Sequence, residues 1–152
     1  MTSYPKALFY IIFFLFVAVA IHEVGHLIVA RRLISESARV HFFPSFPFGR
    51  ILGLVSIPNS SFVPLWKGLM VSITGPLLST ILMSIIWLNT RNPTIGVVSS
   101  FFAIHQLSYS LIEPLLYLGK IPVWTTMLPV IAGGAWVLPY AYHIRKNPQN
   151  WD

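Results

Sequence analysis

Five consecutive residues, His22-Glu23-Val24-Gly25-His26, carry the strongest chemical signal in this chain. On a helix, histidines four residues apart share one face and can bind one metal ion together. Glu23 stands beside His22, within reach of a water on that metal, where a carboxylate serves as general base. Two imidazoles and a carboxylate with one open position suit zinc, which brings the pKa of a bound water towards ~7. The bland alternative is a polar cluster at a helix end near Arg31 and Arg32. Cysteine is absent, so thiolate metal sites, disulfides and cysteine nucleophiles are excluded.

A third ligand is required, and acidic residues are scarce: Glu23, Glu36, Glu113 and Asp152 are the whole set of 4. Glu113 lies in an apolar segment, where an ionisable side chain is expensive and marks a functional site by default. Its alternative is to snorkel to a nearby interface. The first and third apolar segments should cross in the same direction, and a rise of 1.5 Å per residue puts Glu113 at about the depth of His22 and His26. Pro114 is expected to break the helix at Glu113 and turn the carboxylate inward. His105 is the rival ligand. It precedes Glu113 by eight residues, about 12 Å of regular helix, so both cannot hold one ion. Glu113 is preferred as ligand, with His105 as a donor to substrate or to its oxyanion; a packed histidine bonded to a neighbour such as Tyr109 is the other reading of His105.

These residues need elements to position them. The chain has 152 residues, 55% hydrophobic and 9% charged, with a mean hydropathy of +0.72. Soluble domains carry about 25% charged residues, so most of this surface is expected to face lipid. One domain over 1–152 is the natural reading of the length. Four segments are apolar and long enough to span a bilayer, about 6–30, 65–88, 94–118 and 121–142. Polar joints follow the second and third: Asn89-Thr90-Arg91-Asn92-Pro93 and Gly119-Lys120. The stretch between the first two holds Arg31, Arg32, Glu36, Arg39 and Arg50 and cannot span. It contains two apolar runs, Val40 to Phe43 and Ile51 to Ile57, around a turn signal at Pro44 to Gly49. This predicts a short β-hairpin over about 39–58 at the membrane face. The expected fold class is therefore all-α integral membrane, with four spanning helices and one hairpin. In the second segment, Gly75-Pro76 could kink the helix and let it approach the first near Gly25. Ser72, Thr74, Ser79 and Thr80 could line a wet face there.

The net charge of +6 does not indicate a nucleic-acid binder, because the basic residues flank apolar segments. Anionic headgroups are the expected partners of Arg31, Arg32, Arg145 and Lys146. Tyr4, Trp66, Trp87, Trp124, Tyr140 and Tyr142 read as interface anchors. The first apolar run lacks a small-residue cleavage site before His22 and is read as a retained helix. Four spans place Lys6, Arg91, Arg145 and Lys146 on one side and Arg31, Arg32, Arg39, Arg50, Lys67 and Lys120 on the other. The positive-inside rule puts the long loop in the cytoplasm and both termini outside, in a multi-pass protein of the cell membrane.

Taken together, the chain resembles the site-2 protease family of intramembrane zinc metalloproteases. The resemblance rests on His22-Glu23-Val24-Gly25-His26 with Leu27 to Ala30 behind it, then a hairpin ending in Gly53-Leu54-Val55-Ser56-Ile57-Pro58, then Gly75-Pro76, then a ligand in the third helix. It covers about the first 118 residues; only the first motif is specific. Departures are visible. The family usually has Asn where Ser79 stands, Asp-Gly where Glu113-Pro114 stands, and Asn where His105 stands. The resemblance implies a Zn2+ endopeptidase acting on membrane-embedded or membrane-proximal protein substrates. Glu23 and His105 would be catalytic, and His22, His26 and Glu113 would hold the metal. The departures motivate a first alternative, a catalytically inactive zinc-binding adaptor or regulator. A second is a transport or haem protein using intramembrane histidines such as His22 and His105 as axial ligands.

Overall fold

The computed structural model describes residues 4–42, 53–58 and 63–146. Among these residues the helices are α1, Tyr4–Leu33; α2, Leu65–Asn89; α3, Pro93–Tyr117; and α4, Met127–Lys146, entered through a 3-10 turn at Val123–Thr126. Each of the four, with the turn counted into the last, is long and apolar enough to cross a membrane. The boundaries fall within a few residues of those read from the sequence, apart from α4, whose α-helical part begins only at Met127, after the 3-10 turn, and runs four residues further than expected.

The helix ends have local causes. Asn92 caps α3, its side-chain oxygen accepting from the backbone N–H of Thr94 and Ile95 at 3.0 and 3.1 Å, with Pro93 at the first helical position. This is a favoured N-terminal arrangement, since Pro93 has no N–H to leave unpaired. At the other end Gly119 takes φ 63°. Lys120 N–H reaches Leu115 O and Gly119 N–H reaches Leu116 O, both at 2.9 Å. That pairing is a Schellman motif, and glycine supplies the left-handed residue it requires.

α2 lies between α1 and α3, α1 also touches α3, and α4 packs on α3. The apolar core joins Phe14 and Ala18 of α1, Met83 of α2, and Val98, Phe102 and Ala103 of α3. Many larger apolar side chains point outward, among them Phe9, Phe13, Ile81, Ile85, Leu111 and Leu138. Polar groups are inside: Ser72, Ser79, Ser99, Ser100, Gln106 and Ser110 are all buried. Most of these serines satisfy themselves on their own helix, as Ser99 does on Ile95 O at 2.7 Å and Ser110 on Leu107 O at 2.6 Å. Ser79 differs: it reaches across to Ala18 O of α1 at 3.1 Å.

The crossing of α1 and α2 is made by glycines. A Cβ on Gly25 would sit 2.8 Å from Gly75 Cα and 2.9 Å from Thr74 O. One on Gly75 would lie 2.7 Å from His22 O and would strike the His26 ring. Only hydrogen fits at either position, which lets the two backbones approach as small residues do in helix pairs.

Two short strands follow α1. β1, Arg39–Phe42, pairs antiparallel with β2, Gly53–Ser56, in the register Arg39↔Ser56 to Phe42↔Gly53. The turn signal at 44–49 lies outside the described residues, as do Phe43 and 50–52. Arg31 ties this region to the end of α1 by donating from Nε to Ala38 O at 3.0 Å.

The expectation that Pro114 breaks the third helix is not met. α3 runs unbroken through Pro114 to Tyr117. Pro114 removes one backbone hydrogen bond, the one to Ser110 O, and it does so only three residues before the helix ends, so little helix lies beyond it to be redirected. Glu113 therefore points inward from an ordinary helix. α2 is likewise continuous across Pro76.

Candidate metal centre

His22, Glu23 and His26 occupy the C-terminal half of α1 and are all buried, at 9%, 7% and 6% exposure. Their helix is apolar on its remaining faces, so this polar cluster survives only where its partners are supplied. α3 supplies the first partners. Glu113 Oε1 lies 3.0 Å from His26 Nε2, and Oε2 lies 3.3 Å from His22 Nε2. The two Nε2 atoms are themselves 2.9 Å apart. One ligand atom from each of His22, His26 and Glu113 falls within 4.8 Å of the others, a group that could hold a metal ion.

The remaining ring nitrogens fix the tautomers. His26 Nδ1 donates to Val71 O of α2 at 2.6 Å, and a carbonyl can only accept. His22 Nδ1 lies 2.9 Å from Gln106 Oε1 of α3. With both Nδ1 atoms donating, both Nε2 atoms present lone pairs, and they present them to each other and to a carboxylate. Neutral imidazoles in that state cannot hydrogen-bond one another; a cation between them satisfies all three groups. Glu113 Oε2 is buried and among the described residues has no hydrogen bond. Tetrahedral zinc with bonds of about 2.0–2.1 Å has ligand edges of about 3.3 Å, close to the separations here. The donor set fits zinc.

Beside the trio is a cleft of about 710 Å³, lined by Glu23, His26 and Glu113 together with apolar residues such as Leu54, Val55 and Leu116. Glu23 thus faces the same space as the ligands. Ser72 lines the cleft too. The rest of the expected wet face of α2 is not there: Ser79 is 0% exposed, and Thr74 and Thr80 bond Met70 O and Pro76 O of their own helix.

Comparison with known protein families, curated proteins and solved structures gave no match. What the centre can do is set by its own donors.

His105 is not brought to the trio and is not among the residues lining the cleft. Its ring stacks between Phe101 at 6.0 Å and Tyr109 at 6.1 Å, and its Nδ1 is buried without a hydrogen bond among the described residues. Two neighbours that the sequence reading passed over do reach the site. Gln106 touches His22 directly, and Tyr109 lines the cleft with its ring centroid 5.7 Å from that of His22. Each had a signal in the sequence: Gln106 and Tyr109 precede Glu113 by seven and four residues, which places all three on one helix face.

Proposed function

We propose that the chain is an integral membrane zinc endopeptidase of the site-2 protease type, cutting peptide bonds within or beside the bilayer. The observation that carries this reading is the convergence of His22, His26 and Glu113 ligand atoms within 4.8 Å, with buried Glu23 lining the same cleft as His26 and Glu113. When bound, zinc supplies Lewis acidity that acidifies water and polarises a carbonyl. Glu23 takes one proton from the attacking water as its oxygen bonds to the peptide carbon. It returns that proton to the nitrogen as the carbon–nitrogen bond breaks, giving a carboxylic acid and an amine; the acid's remaining proton passes to the amine, so that the products leave as a carboxylate and an ammonium. Gln106 and the Val71 carbonyl hold the two imidazoles in the tautomer that presents Nε2.

The four apolar helices support insertion in a membrane, with the outward Phe9, Phe13, Ile81 and Leu111 in lipid. The loop carrying the hairpin is placed on the cytoplasmic side by its arginines, with both termini opposite. The substrate is an apolar protein segment. β2 has β1 on one edge and, among the described residues, no strand on the other; Leu54 and Val55 of β2 line the cleft. An extended peptide can add to that edge by main-chain hydrogen bonds.

The test is metal content and proteolysis of the full chain in detergent, with fluorescently labelled casein as the probe. Wild type should hold one zinc per chain and cleave casein. Glu23→Gln should hold zinc and cleave nothing. Wild type that binds zinc but never cleaves would leave the adaptor reading in its place; wild type without zinc would overturn both.

A further inference from the structure

The geometry points to Tyr109 as the side chain that donates a hydrogen bond to the substrate carbonyl oxygen as negative charge develops on it. This rests on the endopeptidase reading above and names a catalytic residue for it.

Three placements carry the assignment. Tyr109 lines the cleft together with Glu23 and Glu113. It stands one helical turn before Glu113, so both project from the same face of α3. Its ring centroid is 5.7 Å from that of His22, which puts a phenol beside the trio without making it a ligand. Among the described residues its hydroxyl has no hydrogen-bond partner, while two other side-chain donors at the cleft are committed. Ser72 Oγ donates to Leu69 O at 2.9 Å. His26 Nδ1 is held by Val71 O. Tyr117 also lines the cleft, but its hydroxyl is packed over Gly68 of α2 and it lies eight residues beyond Tyr109, about 12 Å along the helix.

The far side of the Tyr109 ring is braced. His105 stacks on it with an interplanar angle of 8°, and Phe101 stacks on His105 at 25°. Phe101 in turn packs against Gly133 of α4, where an added Cβ would lie 2.9 Å from the ring. The three rings form one ridge along α3 that holds the phenol in place. A donor fixed before the reaction stabilises developing charge without reorganisation, and loss of one such donor costs about 10²–10³ in kcat. In the step itself, water oxygen bonds to the carbonyl carbon and the π pair moves to the carbonyl oxygen. Tyr109 O–H donates to that oxygen and keeps its proton; the amine receives its proton from Glu23.

The experiment compares wild type, Tyr109→Phe and His105→Phe, each as the zinc-loaded full chain in detergent. Three quantities are read: zinc content, kcat and KM on labelled casein, and the Kd of a peptide phosphinate, a stable tetrahedral oxyanion. Tyr109→Phe should keep one zinc and the wild-type KM, lose about 10²–10³ in kcat, and bind the phosphinate more weakly by a similar factor. His105→Phe keeps an aromatic ring against Tyr109 and should stay within a few-fold of wild type in all three. Unchanged kcat and phosphinate affinity in Tyr109→Phe would overturn the assignment, as would loss of zinc in that variant or a large kcat loss confined to His105→Phe. Wild type that neither cleaves casein nor binds the phosphinate would overturn the endopeptidase reading itself, and the assignment with it.

Discussion

Along α3, side chains eight apart differ by about 80° of rotation, and side chains seven apart by about 20°. That difference separates His105 from Gln106 relative to Glu113. It explains why the histidine faces a stack of rings while the amide reaches His22 at 2.9 Å. Glu113→Ala should therefore abolish stoichiometric zinc, and His105→Ala should retain it, by elemental analysis of the purified variants. Gln106→Leu should weaken zinc by about 10- to 100-fold, as loss of such a partner does elsewhere, read by competition with a chelator of known affinity. The histidine pair was legible from the sequence because its spacing matches a helical turn. Glu113 was legible because a carboxylate in an apolar segment needs a reason. Gln106 and Tyr109 were not, because neither residue type is an ordinary zinc ligand and only the shared helix face with Glu113 marks them.

At the scale of elements, the approach of α1 to α2 governs the site, since Gly75 lies directly against the His26 ring. Gly25→Ala sets a methyl 2.8 Å from Gly75 Cα and 2.9 Å from Thr74 O, backbone atoms that cannot step aside. It should cost about 1–3 kcal/mol of stability by overpacking and weaken zinc by moving His26 relative to Glu113. Denaturant titration and chelator competition would read the two effects. Gly134→Ala is the matched control, because nothing lies within 4 Å of the added carbon, and it should change neither. The close crossing was anticipated from Gly25 and Gly75-Pro76, since small residues permit it on steric grounds alone. The effect of Pro114 was misjudged for an equally physical reason: a missing N–H matters little in a helix's final turn. The hairpin strands were found from two apolar runs of loop sequence, and β1 and β2 occupy the positions those runs predicted.

For the whole molecule, the arrangement of polar groups inside and large apolar groups outside suits a lipid solvent. The chain should stay with the membrane fraction through alkaline carbonate extraction; release into the supernatant would contradict insertion. One further property follows from the second nitrogen of each histidine. His22 is bonded to α3 and His26 to α2, while both belong to α1. An ion seated between them is thus a cross-link among three helices, and its binding free energy is shared with their association. Stability and occupancy become linked quantities. At free zinc of about 100 times its Kd the folded state should gain about 2.7 kcal/mol, seen as a Tm that climbs with zinc and falls when a chelator is added. In His22→Ala that dependence should vanish. A membrane carrying this protein would then hold its bundle taut or slack according to the free zinc around it.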